Sequence, residues 1–225
     1  MITLDNVTVF SLDGTGENTP GILNALNICL NNFNFAKTLF LTCTPKENIN
    51  SKITQIKISK LNYYEYNKFC LEQMTDYVDT DYCLIIHDDG FIVNPHLWTD
   101  DFLKYDYIGA PWYVGINRGL TWLQDRHNLV GNGGFCIRSK KLMNEAKILS
   151  KEYTDPIPED FWLCSTNYYR LIDKGIIFAD INTASKFSTE AISDQYPTLK
   201  NSLGFHGKFR IQEAYSIINQ RFNLK

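Results

Sequence analysis

Apolar and polar positions alternate in blocks along the first 90 residues, and the blocks change period. Val7-Thr8-Val9-Phe10 is a β-branched and aromatic run that reads as a strand. Thr19-Pro20 predicts a helix start, with Thr19 as N-cap and Pro20 at the first helical position. Ile22, Leu23, Leu26 and Leu30 then fall on one helical face. Residues 38–42 predict a second strand and 53–58 a short third. Over 64–78 a broad stripe of Tyr66, Phe69, Cys70, Gln73, Met74 and Tyr77 predicts one helix. Tyr82-Cys83-Leu84-Ile85-Ile86 is continuously apolar, the pattern of a strand buried on both faces of a parallel sheet. Strand and helix alternate, so the expected fold is α/β with a mostly parallel central sheet flanked by helices.

The second half is less regular. A short strand is expected over 107–112, a polar and aromatic-bearing loop over 114–128, and a glycine-rich turn entering a strand over 131–138. Ser139 is a predicted cap for a helix reaching Ser150, and Pro158 opens another running to about Lys174. A late strand over 176–179 and a polar loop over 202–208 complete the pattern. No linker, internal repeat or low-complexity tract interrupts it, so residues 1–225 are expected to form a single domain.

Composition narrows the function classes. Hydrophobic residues make up 44% and charged residues 21%, an ordinary globular balance. The net charge of -3 and the lack of a long Lys or Arg run argue against a nucleic-acid partner. Fourteen Phe, 13 Tyr and 4 Trp suit a core, and also a site that stacks bases or sugar rings. None of the six cysteines forms a Cys-x-x-Cys pair, which predicts reduced buried thiols and a cytoplasmic location. Met1-Ile2-Thr3-Leu4-Asp5 does not read as a signal peptide. No apolar run nears the ~20 residues of a membrane span, so any membrane contact is expected to be peripheral.

In parallel α/β sheets ligands sit beyond the carboxyl ends of the strands. Loop 11–16 and the turn His87-Asp88-Asp89-Gly90 both fall at such ends. Adjacent carboxylates there repel unless a cation neutralises them, which a hard divalent ion does. A solvated turn is the plainer alternative. Glu159 and Asp160 read either as acids favoured by a helix N-terminus or as a general base. Gly133 and Gly134 serve either a close backbone approach or a turn. His206 is either an isolated side chain or a further ligand, and His87, His96 and His127 show no zinc-type spacing.

Taken in order, several strings resemble a known family. They are Ile85-Ile86-His87-Asp88-Asp89-Gly90-Phe91, Trp98-Thr99-Asp100-Asp101-Phe102-Leu103 and Tyr105-Asp106-Tyr107-Ile108-Gly109-Ala110-Pro111-Trp112. Gly131-Asn132-Gly133-Gly134-Phe135, Pro158-Glu159-Asp160 and Phe205-His206-Gly207 close the series. Across residues 1–210 the chain resembles small bacterial and viral glycosyltransferases with the GT-A fold, and chloroviral rhamnosyltransferase-type domains are similar in layout. The resemblance implies a nucleotide-sugar donor, with a UDP-sugar favoured, a glycan or glycolipid acceptor, and Mn²⁺ or Mg²⁺ on an Asp-X-Asp-like motif. It implies Asp89 as the better metal ligand, Asp88 as the lesser one beside the diphosphate, and His206 completing the metal shell. It implies Asp160 as the base of an inverting reaction, with Glu159 beside it. Ser11, Asp13, Tyr66 and Asn67 would lie near base and ribose, and Gly133 and Gly134 would border donor sugar and acceptor. Residues 1–92 would then be the nucleotide-binding half and 93–225 the acceptor half. His87-Asp88-Asp89 departs from the plain Asp-X-Asp form. Two rival readings are a nucleotidyltransferase, which needs a basic triphosphate loop, and a non-catalytic nucleotide-sugar- or glycan-binding module.

Overall fold

The computed structural model describes residues 1–112, 130–190 and 198–222. The expected loop over 114–128, with His127, Tyr113 and Trp122 in or beside it, lies outside the described residues. The first half runs β1 (Ile2–Asp13), α1 (Thr19–Leu30), β2 (Phe33–Thr42), β3 (Thr54–Lys57), α2 (Tyr63–Glu72), α3 (Met74–Tyr77) and β4 (Tyr82–Ile86). Next come β5 (Tyr107–Ile108), β6 (Ala110–Pro111), β7 (Val130–Gly131), β8 (Phe135–Ser139) and α4 (Lys140–Leu149). The chain continues with α5 (Glu159–Phe161), α6 (Tyr168–Asp173), α7 (Ile181–Phe187), β9 (Ser188–Thr189), β10 (Gly204–Phe205) and α8 (Ile211–Phe222).

A six-stranded sheet of order β3-β2-β1-β4-β8-β5 forms the centre. Its first four strands are parallel, as the apolar blocks predict. β8 then pairs antiparallel with β4, and β5 antiparallel with β8. β6–β7 and β9–β10 are separate two-stranded ladders. β1 and β4 are buried on both faces: Val7, Val9, Phe10, Leu84 and Ile86 are each at most 1% exposed. Burial of that apolar surface, at about 25 cal/mol per Å², is what holds the layers together.

Several elements differ from the expected pattern. Thr19 is not the cap of α1: Asn18 precedes the helix, and the Thr19 hydroxyl instead donates to Asp13 Oδ2 at 2.6 Å. The single helix expected over 64–78 is two, separated at Gln73. The helix expected from Pro158 is broken by a π-helical turn at Trp162–Thr166. Trp162 itself is 5% exposed and packs edge-on against Tyr153, so it belongs to the core. The strand expected over 176–179 is a lone bridge from Phe178 to Tyr107. Ser139 does cap α4, accepting from Leu142 N at 3.0 Å. None of the six cysteines is in a disulfide. No helix among the described residues is long and apolar enough to cross a membrane.

Candidate functional site

Where β4 ends, His87 and Gly90 close a tight turn: His87 N donates to Gly90 O at 2.9 Å and Gly90 N to His87 O at 3.3 Å. The C-terminal segment is sewn onto this turn. Gly207 N donates to Asp89 O at 2.8 Å, and His206 N to Thr189 O at 3.1 Å. The result brings together ligand atoms of His87, Asp89 and His206, all within 4.8 Å of one another. His206 Nε2 lies 3.5 Å from Asp89 Oδ1, while its Nδ1 faces Glu190 Oε1 at 3.4 Å. His87 Nε2 is 2.9 Å from the Tyr66 hydroxyl.

Glycines make room for the His206 ring. A Cβ on Gly134 would lie 2.1 Å from His206 Nε2, so only a residue without one fits there. Gly134 reaches the turn because Phe135 pairs with Ile86, the last residue of β4. Asn132 shapes the approach: its backbone is left-handed, with φ 74°, and its side chain accepts from Gly134 N at 3.0 Å.

The electrostatics separate the two imidazoles. Burial, then the neighbouring His206 and Arg138, lowers the pKa of His87 to about 3, so this ring is neutral at pH 7. Burial also works against a charged His206, but the Glu190 hydrogen bond and the Asp89 charge outweigh it and raise that pKa above 6.5. Burial and the adjacent Asp89 raise the carboxyl of Asp88. Two imidazole nitrogens and one carboxylate oxygen fit a divalent ion, and three protein ligands leave coordination positions for a phosphate or water. Tyr66 and Glu190 are the outer partners that orient such ligands.

Asp160 stands beside this group. Its Oδ2 accepts from Gly133 N at 2.9 Å and its Oδ1 from Phe161 N at 2.8 Å. Its charge is among those acting on His206. Trp112 lies on the same side, half-buried, over Gly131 and 6.2 Å from the ring of Phe161.

Other expected site residues are held elsewhere. Glu159 is 7% exposed and forms a 2.5 Å ion pair with Arg138, so its carboxylate is spent inside the protein rather than presented to a substrate. Asn67 is spent likewise, donating to Tyr63 O at 2.7 Å and accepting from Glu159 N at 2.9 Å. The buried Ser11 hydroxyl donates to Ile86 O at 2.7 Å and ties β1 to β4. The Asp13 carboxylate folds its own loop, accepting from Gly16 N at 2.8 Å and from Thr19. Asp88 stands outside the His–Asp–His group and packs over the first turn of α1, where a Cβ on Gly21 would meet its Cβ at 2.7 Å. Sequence reasoning passed over His87. The available signal was proximity: His87 opens the same tight turn that carries Asp89.

Comparison with known proteins fits this layout. A crystal structure of a glycosyltransferase involved in the glycosylation of the major capsid of PBCV-1 resembles the chain with a TM-score of 0.51. The identity is 13%, and the likeness covers 94% of this chain and 98% of that one. The fold is therefore GT-A-like, a mixed α/β sheet with helices around it. The family model described as "Protein of unknown function (DUF5672)" matches residues 50–206, and the chain belongs to that family. No curated protein matches the sequence.

Proposed function

We propose that the protein is a glycosyltransferase that moves a sugar from a nucleotide-sugar donor, a UDP-sugar in the favoured case, to a hydroxyl of a glycan or glycolipid. The observation that carries this reading is the His87–Asp89–His206 group at the end of β4, with Asp160 beside it, in a GT-A-like fold. A divalent ion held there, Mn²⁺ or Mg²⁺, supplies Lewis-acid stabilisation of the leaving diphosphate when bound. The rest falls to the protein. Asp88, packed over α1, and Tyr66, on α2 against His87, border the nucleotide. Gly133 and Gly134 bring the backbone against Glu159 and His206 and so set the floor of the pocket beside the donor sugar. Trp112 offers a flat face to an acceptor sugar.

Asp160 takes the proton of the acceptor hydroxyl as its oxygen attacks the anomeric carbon, which gives inversion. The two backbone donors on its carboxylate fix its direction. Residues 1–92 supply the turn and 93–225 supply Asp160 and His206, so the two halves meet at the reacting bond. Six cysteines outside any disulfide suit a cytoplasmic enzyme. A glycolipid acceptor would bring it to a membrane surface. A nucleotidyltransferase is disfavoured because residues 11–16, the end of β1 and the turn after it, include no Lys or Arg and their one acid is folded inward.

Incubation with a panel of nucleotide sugars, following nucleotide release, tests the reading. Wild type is expected to release nucleotide slowly by hydrolysis and faster with acceptor. Asp160→Asn is expected to lose about 10²–10⁴-fold in acceptor-dependent rate. Binding of the nucleotide sugar with no release from any donor favours the non-catalytic module instead.

A further inference from the structure

We infer that the site at the end of β4 selects a nitrogen-accepting transition ion over magnesium, and that His87 sets this choice. The inference narrows the metal left open in the proposed function, and rests on that reading only for the role of the ion. Positions 87 and 89 are two apart, the spacing of an Asp-X-Asp pair, but the first acid is replaced by an imidazole. Of the three converging ligands, only Asp89 offers oxygen.

Nearby carboxylates are otherwise engaged. Asp88 packs over α1 at Gly21. Glu190 faces Nδ1 of His206, away from the nitrogen nearest Asp89. Asp160 is held by Gly133 N and Phe161 N. One nitrogen of each imidazole faces an outer partner, Nε2 of His87 the Tyr66 hydroxyl and Nδ1 of His206 the Glu190 carboxylate, while Nε2 of His206 lies 3.5 Å from Asp89 Oδ1. These partners hold the two ring orientations before any ion arrives. Magnesium demands oxygen ligands in near-ideal octahedral geometry and gives up its waters reluctantly. Imidazole suits zinc, iron, nickel and cobalt, and affinity for one nitrogen-containing site rises from Mn²⁺ to Co²⁺. A site that is two-thirds nitrogen therefore orders the ions Co²⁺, then Mn²⁺, then Mg²⁺.

The test is titration of the metal-free full chain with MgCl₂, MnCl₂ and CoCl₂ in the absence of nucleotide, read by calorimetry. Mn²⁺ is expected to bind at least about tenfold tighter than Mg²⁺, and Co²⁺ tighter still. Tyr66→Phe is expected to weaken Co²⁺ by about tenfold while leaving the order intact. His87→Asp restores two acids and is expected to bring Mg²⁺ level with Mn²⁺. His87→Asn, checked for folding by circular dichroism, serves where the aspartate variant does not fold, and is expected to lose Co²⁺ affinity. Pulsed electron paramagnetic resonance of bound Mn²⁺ should show nitrogen coupling from two imidazoles in wild type and from one in either His87 variant. Equal binding of Mg²⁺ and Mn²⁺, an unchanged order in both variants, or no binding of any ion overturns the inference. A protein that binds the ions in this order yet neither binds nor turns over a nucleotide sugar leaves the selectivity standing and defeats the glycosyltransferase reading.

Discussion

Arg138 sits in the middle of the sheet at 1% exposure, with its guanidinium 5.8 Å from the centre of the Tyr107 ring. Burial opposes its charge, but Glu159 at 2.5 Å holds it protonated well above the ordinary range. Its Nε and Nη1 have no hydrogen-bond partner among the described residues. Such a pair costs desolvation on both sides, and removing one member strands the other charge. Arg138→Met alone is expected to destabilise the protein by about 3–5 kcal/mol. Arg138→Met with Glu159→Leu is expected to recover most of that, because two apolar groups replace two charges. Urea unfolding of the single and double variants measures the difference. A double variant as unstable as the sum of the singles shows that the loss is one of packing. Neither member was legible in the sequence. Arg138 follows an apolar run where a charge reads as the outward end of a strand. Glu159 opens a short helix where an acid is favoured anyway. What joins them is a contact across 21 positions, which no local pattern encodes. Asp89 stood out as a candidate because a carboxylate pair follows a buried strand, whereas His206 stood out only through the resemblance carried by Phe205-His206-Gly207.

Helix α7 shows how an element far from the chemistry supports it. The helix leads into β9, whose end carries Glu190, the outer partner of His206. Its N-cap is Asp180, which accepts from Asn182 N and Thr183 N, from the Thr183 hydroxyl at 2.7 Å and from the Tyr105 hydroxyl at 3.0 Å. These bonds, the Thr183 hydroxyl first, lower the pKa of Asp180 below its ordinary 3.8 against a smaller opposing effect of burial. A depressed carboxyl stabilises the fold above the unfolded pKa and loses that stabilisation as pH falls through the folded one. Asp180→Ala is therefore expected to cost about 1 kcal/mol at pH 7. The gap from wild type should close only as pH falls below 3.8, which melting curves across that range would detect. A gap that is unchanged below that pH would show that the carboxylate charge contributes nothing. At seven residues α7 is too short to display an apolar face, and the pattern along the chain predicts no helix there. The opposite error arose at 158–174, where one periodic stretch is split by the π-helical turn. There Asn167 N bonds Trp162 O at 3.0 Å and the helical ladder slips by one residue.

Over the whole molecule, the parallel half of the sheet was legible because each strand is a local apolar block. The reversal at β8 was not, because it depends on pairing Ile86 with Phe135 across the sequence. That reversal carries Gly133 and Gly134 to the end of β4. Three ties then fold the C-terminal segment over the same point: Val93 N to Leu203 O at 2.9 Å, the Ile92–Gly204 bridge, and Gly207 N to Asp89 O. The two halves of the chain thus share one candidate ion site, with His87 and Asp89 from the first and His206 from the second. If a nucleoside diphosphate completes the coordination, ion and nucleotide must reinforce each other's binding by the same factor, as linkage requires. UDP with Mn²⁺ is expected to raise Tm by more than the sum of the separate rises, with a coupling of about 1–3 kcal/mol. At about 100 times its Kd in the presence of Mn²⁺, UDP alone should contribute about 2.7 kcal/mol. For a chain of this size that is a rise of about 5–11 °C. The same UDP concentration in EDTA should give much less. Asp89→Asn should abolish the excess while leaving any metal-independent nucleotide shift, because it removes the one anionic ligand and spares the α1 side of the pocket. Equal UDP shifts with Mn²⁺ and with EDTA would mean that nucleotide and ion do not meet, and the diphosphate would then have to be placed away from the His87–Asp89–His206 group.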